Sequence, residues 1–152
     1  MPDKQTNADK IISIARRWLN TPYKHQGRSR RGCDCVGLPL ALARELGIEV
    51  EDYRRYGRLP VSAMLVEKCR AYCTEIPRHH FAPGDLVLMT WGKDRDHPHH
   101  FAIVTRMAGG ETGIIHSHSR VGRVVEHRLD AKWRRRITHA FRIPAGPSGG
   151  PH

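Results

Sequence analysis

Residues 31–38 read Arg31-Gly32-Cys33-Asp34-Cys35-Val36-Gly37-Leu38, and at Cys35 the pattern changes from a glycine-bearing loop to a helical stripe. Leu38, Leu42 and Leu46 recur at helical spacing and Gly47 follows as a left-handed terminator, so a helix is expected from about Asp34 or Cys35 to Leu46. Pro39, near the first turn, removes at most one early hydrogen bond and leaves this pattern standing. Cysteines stand at 33, 35, 69 and 73, and of these Cys35 alone joins a glycine-bearing approach to a predicted helix start. The unpaired N–H groups there carry partial positive charge. With an imidazolium nearby, that charge lowers a thiol pKa and supplies a nucleophilic thiolate. The same N–H groups could hold an oxyanion.

Upstream, Ile11, Ile12, Ala15, Trp18 and Leu19 share one face of a helix from about Asp9 to Leu19. Thr6 or Asn7 is its cap, and Asn20-Thr21-Pro22-Tyr23 ends it, because the residue before a proline is pushed out of the helical region. Downstream, a third helix is expected from about Val61 to Cys73, with Ser62 or the preceding turn as its cap and Val61, Leu65, Cys69 and Tyr72 or Cys73 along one core-facing side. After Pro77 the chain turns to short β-rich runs, predicting strands at Leu86–Thr90, Phe101–Met107, Gly113–Ser117, Arg123–Arg128 and His139–Ile143. Helices first and strands later give the α+β class, with N-terminal helices packed on an antiparallel sheet of about five strands.

A chain of 152 residues has room for one core, so residues 1–143 are expected to form one domain, with 144–152 as a disordered tail. The net charge of +11 favours anionic partners without naming one. Its clusters, Arg28-Ser29-Arg30-Arg31 and Arg134-Arg135-Arg136, read as solvated surface. No run approaches the roughly twenty apolar residues of a membrane span, and the first ten residues lack the apolar core of a secretory signal, so synthesis in the cytoplasm is expected. The cysteine spacing matches no disulfide framework and a C-x-C pair is too short to close on itself, which predicts free thiols.

A thiolate cleaves an amide only when a positioned acid, usually a histidine held by a third polar group, protonates the leaving amine. His100 opens the run His100-Phe-Ala-Ile-Val-Thr105, where its side chain is expected at the sheet end facing the helix of Cys35. His116 closes Gly113-Ile-Ile-His116, and adjacent antiparallel strands would set the two rings side by side. His100 is then acid and base, and His116 its orienter. His99 is a rival, because one residue of register turns a strand side chain to the other face.

Six segments, in order, resemble the NlpC-type cell-wall cysteine peptidases, in particular their phage and gene-transfer-agent branch. They are Trp18-Leu19-Asn20-Thr21-Pro22-Tyr23-Lys24-His25-Gln26-Gly27, Gly32-Cys33-Asp34-Cys35-Val36-Gly37-Leu38, Pro83-Gly84-Asp85-Leu86-Val87-Leu88, His100-Phe101-Ala102-Ile103-Val104, Gly113-Ile114-Ile115-His116, and Trp133-Arg134-Arg135-Arg136 with Ala140-Phe141-Arg142. The resemblance implies a papain-like fold, hydrolysis of an amide in the peptidoglycan stem peptide, D-glutamyl to diamino acid, and neither metal nor other cofactor. It implies Cys35 as nucleophile, His100 as base and His116 as third residue. Tyr23 and Asp34 match positions that help to hold a substrate's free amino end, and His25, following the tyrosine motif, is expected to line the cleft. Many members have Ser after the nucleophile and Gly two residues after the histidine, where this chain has Val36 and Ala102. The branch also implies phage-type tail or baseplate proteins as partners, and a particle tail as the route to the wall.

Other readings compete with these. Cys33 reads as a loop residue, and Cys69 and Cys73 as core. His97-Pro98-His99-His100 with the two early cysteines has the wrong spacing for a common zinc finger. His79, His80, His118, His127 and His139 read as exposed or hydrogen-bonded structural residues. A basic nucleic-acid module fits the charge but lacks an aromatic-basic recognition motif, so nucleic acid is not the expected partner. A tail-hub protein that kept the fold and lost the chemistry is the remaining alternative.

Overall fold

The computed structural model describes residues 6–52, 56, 63–93 and 95–146. Helix α1 (Asn7–Arg16) begins at a capping box: the Thr6 hydroxyl accepts the Asp9 N–H at 3.0 Å and the Asp9 carboxylate accepts the Thr6 N–H at 3.4 Å. A short hairpin, β1 (Arg28–Ser29) and β2 (Gly32–Cys33), leads into α2 (Gly37–Glu45), and Gly47 takes the left-handed conformation expected of it, with φ of 79°. Helix α3 (Ala63–Tyr72) follows; the start predicted for it at Val61 and its Ser62 cap lie outside the described residues.

The remaining strands are β3 (Thr74–Ile76), β4 (Leu86–Met89), β5 (His100–Arg106), β6 (Thr112–His118), β7 (Arg123–Arg128) and β8 (Ile137–Arg142), with a short helix α4 (Ala131–Arg134) before the last. They form one antiparallel sheet in the order β3-β8-β4-β5-β6-β7. The α+β class is as expected, and the sheet has six strands where about five were predicted. The unforeseen strand, β3, is a three-residue edge strand with only Ile76 partly buried, too short to show alternation.

Side chains alternate across the sheet into two apolar layers. Leu86, Leu88, Phe101, Ile103, Ile115 and Phe141 join Ile11, Ile14, Leu38 and Leu42 of the helices in the larger core. Val87, Met89, Ala102, Val104, Ile114 and Ala140 form a second, thinner layer with Leu129 and Ile137, against which Trp133 packs. Gly84 anchors the sheet to α1: its φ is +94°, and a Cβ there would stand 2.7 Å from Ala8. Beside it Asp85 holds Arg142 of β8 through two bonds of 3.1 and 3.0 Å. Beyond residue 146 the tail expected to be disordered lies outside the described residues. No helix among the described residues is long and apolar enough to cross a membrane.

Candidate active site

The hairpin delivers Asp34 and Cys35 to the sheet. Cys33 is anchored on both sides: its N–H donates to the Pro22 carbonyl at 3.0 Å, and its carbonyl accepts the Ser117 hydroxyl at 2.7 Å. It therefore belongs to β2 and the core rather than to a loop, and burial pushes its thiol up to about 11. Cys69 is buried and Cys73 half-buried, and all four cysteines are free thiols.

Asp34 is buried and takes five hydrogen bonds. Its Oδ1 accepts from Val36 N at 3.2 Å, Gly37 N at 2.8 Å and Arg28 Nη1 at 3.1 Å. Its Oδ2 accepts from Gln26 N at 2.8 Å and the Tyr56 hydroxyl at 2.6 Å. Arg28 Nη2 closes the ring onto the same tyrosine oxygen at 2.7 Å. Arg28 is thus a buried partner, its side chain 7% exposed, and not the solvated charge expected of its cluster. An unpaired buried carboxylate would be costly, and the guanidinium is what balances it.

Two expectations for Cys35 change. Helix α2 begins at Gly37, three residues later than the earliest start predicted, and the N–H groups assigned to an oxyanion are occupied: Val36 and Gly37 by the Asp34 carboxylate, Leu38 by the Asp34 carbonyl at 3.2 Å. The Cys35 N–H lies outside that set. The thiol is 5% exposed and donates to the His99 carbonyl at 3.7 Å. Burial first, and the Asp34 charge second, push it up to about 12, opposite to the lowering expected at a helix start.

His100 Nε2 and His116 Nδ1 are 2.7 Å apart, so the rings predicted to lie side by side are hydrogen-bonded. Both belong to the face of Ala102 and Ile114, opposite the helix layer that His100 was expected to face. The thiol reaches the start of β5 at the rim of the sheet, through the carbonyl next to His100. Burial, then the charges of His118 and His99, bring His100 down to about 3, and burial likewise lowers His116 well below the ordinary histidine value. The rival His99 is committed elsewhere, its Nε2 accepting the Trp91 N–H at 3.0 Å.

Tyr23 pairs through its backbone with Cys33, which sets it beside the approach to Cys35. His25 stands edge-on to Tyr56 with ring centroids 5.7 Å apart, and its Nδ1 is buried without a hydrogen-bond partner among the described residues. Trp91, Trp133 and Arg136 were missed as site residues. The Trp91 ring lies 5.0 Å from that of His100, and Arg136 stacks between Trp91 at 4.7 Å and Trp133 at 4.5 Å. Together with His118, Ser119 and Arg120, Trp91 and Arg136 line a cleft of about 360 Å³. The closing Trp133-Arg134-Arg135-Arg136 motif was the sequence signal for Trp133 and Arg136, and none of the six segments contains Trp91. Among the described residues no group of three or more His, Cys, Asp or Glu is arranged to hold a metal ion.

Solved structures share this fold. An NlpC/P60 family protein of Bacillus cereus matches with a TM-score of 0.68 at 23% identity over 93% of this chain, which spans 42% of that protein's length. The NlpC/p60 domain of the peptidoglycan hydrolase SagA matches with a TM-score of 0.64 at 19% identity, covering 91% of this chain and 100% of that domain. The P60 domain of an antigen of M. avium subspecies paratuberculosis gives 0.61 at 16% identity, over 90% of this chain and 94% of that domain. No curated protein sequence matches significantly. Residues 20–142 match the model of the NlpC/P60 family, and the chain belongs to that family.

Proposed function

We propose that this chain is a cysteine peptidase that hydrolyses an amide bond of peptidoglycan stem peptides, with Cys35 as nucleophile, His100 as base and acid, and His116 as orienter. The observation that carries this reading is the 2.7 Å pair of His100 and His116, beside a thiol bonded to the carbonyl that precedes His100. His100 removes the Cys35 proton as the thiolate forms its bond to the amide carbon. The tetrahedral oxyanion is held by the Cys35 N–H. His100 then passes its proton to the leaving amine, giving an acyl thioester, and activates a water that hydrolyses it to the acid and regenerates the thiol.

The bond assigned is that between D-glutamate and the diamino acid. A free carboxylate on the D-glutamate, or on a dicarboxylic diamino acid, would be received by Arg120, Arg136 and His118 of the cleft beside His100. Tyr23 and His25 flank the substrate's amino end. Asp34 acts there through the wall it builds, because its own oxygens are already engaged. Delivery by a phage or gene-transfer-agent tail follows from the branch that the six motifs resemble. Defined stem peptides incubated with the purified chain, with products separated by mass spectrometry, test the bond. A new free amine on the diamino acid supports the assignment, and cleavage at another amide overturns it.

The burial of Cys35 favours a second reading, a member of the fold whose chemistry is silent. Alkylation separates the two: a Cys35 that stays unmodified at pH 9, in a chain that cleaves no muropeptide, supports the silent member.

A further inference from the structure

The His100–His116 pair does not end at His116. Its Nε2 lies 2.8 Å from Nε2 of His127 on β7, and His127 Nδ1 lies 2.9 Å from the Arg128 carbonyl oxygen. The register accounts for the meeting: His116 faces Val125, and His127 is its diagonal neighbour on the same face. Trp133 closes the cluster, its ring 5.1 Å from His116 and 4.9 Å from His127.

We propose that His127 is a fourth, positioning residue of the site, which fixes the tautomers of His116 and His100 so that His100 presents a bare Nδ1 as the base. A carbonyl oxygen only accepts, so His127 Nδ1 carries the hydrogen. Neutral His127 then has an acceptor at Nε2, and the bond to His116 requires the hydrogen on His116 Nε2. His116 Nδ1 is left as an acceptor, so the hydrogen of the next bond belongs to His100 Nε2. His100 Nδ1 carries a lone pair and nothing else. One carbonyl, three rings away, sets which nitrogen can take a proton. No atom is transferred in this arrangement; the directions of three hydrogen bonds are chosen.

The use made of His100 Nδ1 rests on the peptidase reading, but the tautomer chain does not, and the experiment separates them. Ring ¹⁵N spectra of the full-length chain at pH 8 should show hydrogen on Nε2 of both His100 and His116. His127→Leu should leave both rings as tautomer mixtures and lower kcat on muropeptides about tenfold, with KM within twofold. His127→Gln, which restores an acceptor near the same place, should return both the tautomers and kcat to within about threefold of wild type. Unchanged ring tautomers in His127→Leu, or a loss that glutamine does not repair, would overturn the proposal. If the wild type cleaves nothing, the peptidase reading fails, and the spectra alone decide the chain.

Discussion

Cys35 rests as a neutral thiol and His100 as a neutral imidazole, since burial drives the first up to about 12 and the second down to about 3. A preformed thiolate–imidazolium pair would react with iodoacetamide at nearly constant rate from pH 5 to 8. A raised thiol pKa makes the thiolate fraction grow with pH, so alkylation of Cys35 should be slow at pH 7 and climb about tenfold per unit up to at least pH 9. A flat profile would reject the neutral resting state. In the lining of the cleft, Arg136→Ala should raise KM about tenfold for a substrate bearing free carboxylates and leave kcat within twofold, because the proposed mechanism gives the guanidinium no bond-making or proton-transfer step. An equal effect on an amidated substrate would remove its charge-reading role. Cys35, His100 and His116, the residues proposed for the chemistry, stood out in the sequence because each opens or closes a periodic segment. Arg28 was not, since a charge in a basic run reads as solvated until the hairpin brings it to Asp34. His127 was hidden too, because a diagonal neighbour is visible only once the β6–β7 register is known.

Helix α2 shows how an element is positioned by residues outside it. Asp34 supplies the cap and at the same time anchors Arg28 and Tyr56, so Asp34→Ala takes one of two carboxylates from Arg28, which keeps Asp52 at 3.0 Å, and leaves two helix-start donors open. A buried donor left without its acceptor costs about 1–3 kcal/mol, and the variant should melt several degrees below the wild type. A melting temperature within two degrees of wild type would show that the network is dispensable. Gly37 is constrained differently: a Cβ there would overlap the Gly27 carbonyl oxygen, so Gly37→Ala should shift the start of α2 and slow any reaction at Cys35. Normal alkylation in that variant would count against the tight packing of loop on helix. The leucine stripe and Gly47 made α2 legible in the sequence. Its true start was obscured because Asp34 caps from three residues before Gly37, while Cys35 and Val36 form the turn between them. The two-residue strands β1 and β2 were unreadable for the same reason as β3, being too short to carry a period.

For the molecule as a whole, two faces of one sheet divide the work: the helices fill one side, and the histidines and tryptophans occupy the end of the other. Apolar periodicity announces the first side plainly. The second is polar where it matters, and its order comes from hydrogen bonds that periodicity does not report. The buried histidines also set a pH dependence. His100 and His116 take protons in the unfolded chain near the ordinary histidine value but only far lower when folded, so the unfolded state binds more protons between those limits. Stability therefore falls as pH drops below about 6.5, by up to about 1.4 kcal/mol per unit for each ring, and the fall continues toward pH 3 for His100. Urea midpoints should decline from pH 7.5 to 5, and less steeply in His116→Gln; a midpoint that rises over that range would contradict the buried neutral pair.

The most direct test of the central claim compares wild type, Cys35→Ala and His100→Ala on purified peptidoglycan, with soluble products read by mass spectrometry. The account predicts new amine and carboxyl ends from a single stem-peptide bond with the wild type, none with Cys35→Ala, and at least a hundredfold less with His100→Ala. Cleavage that survives the loss of Cys35 would contradict it.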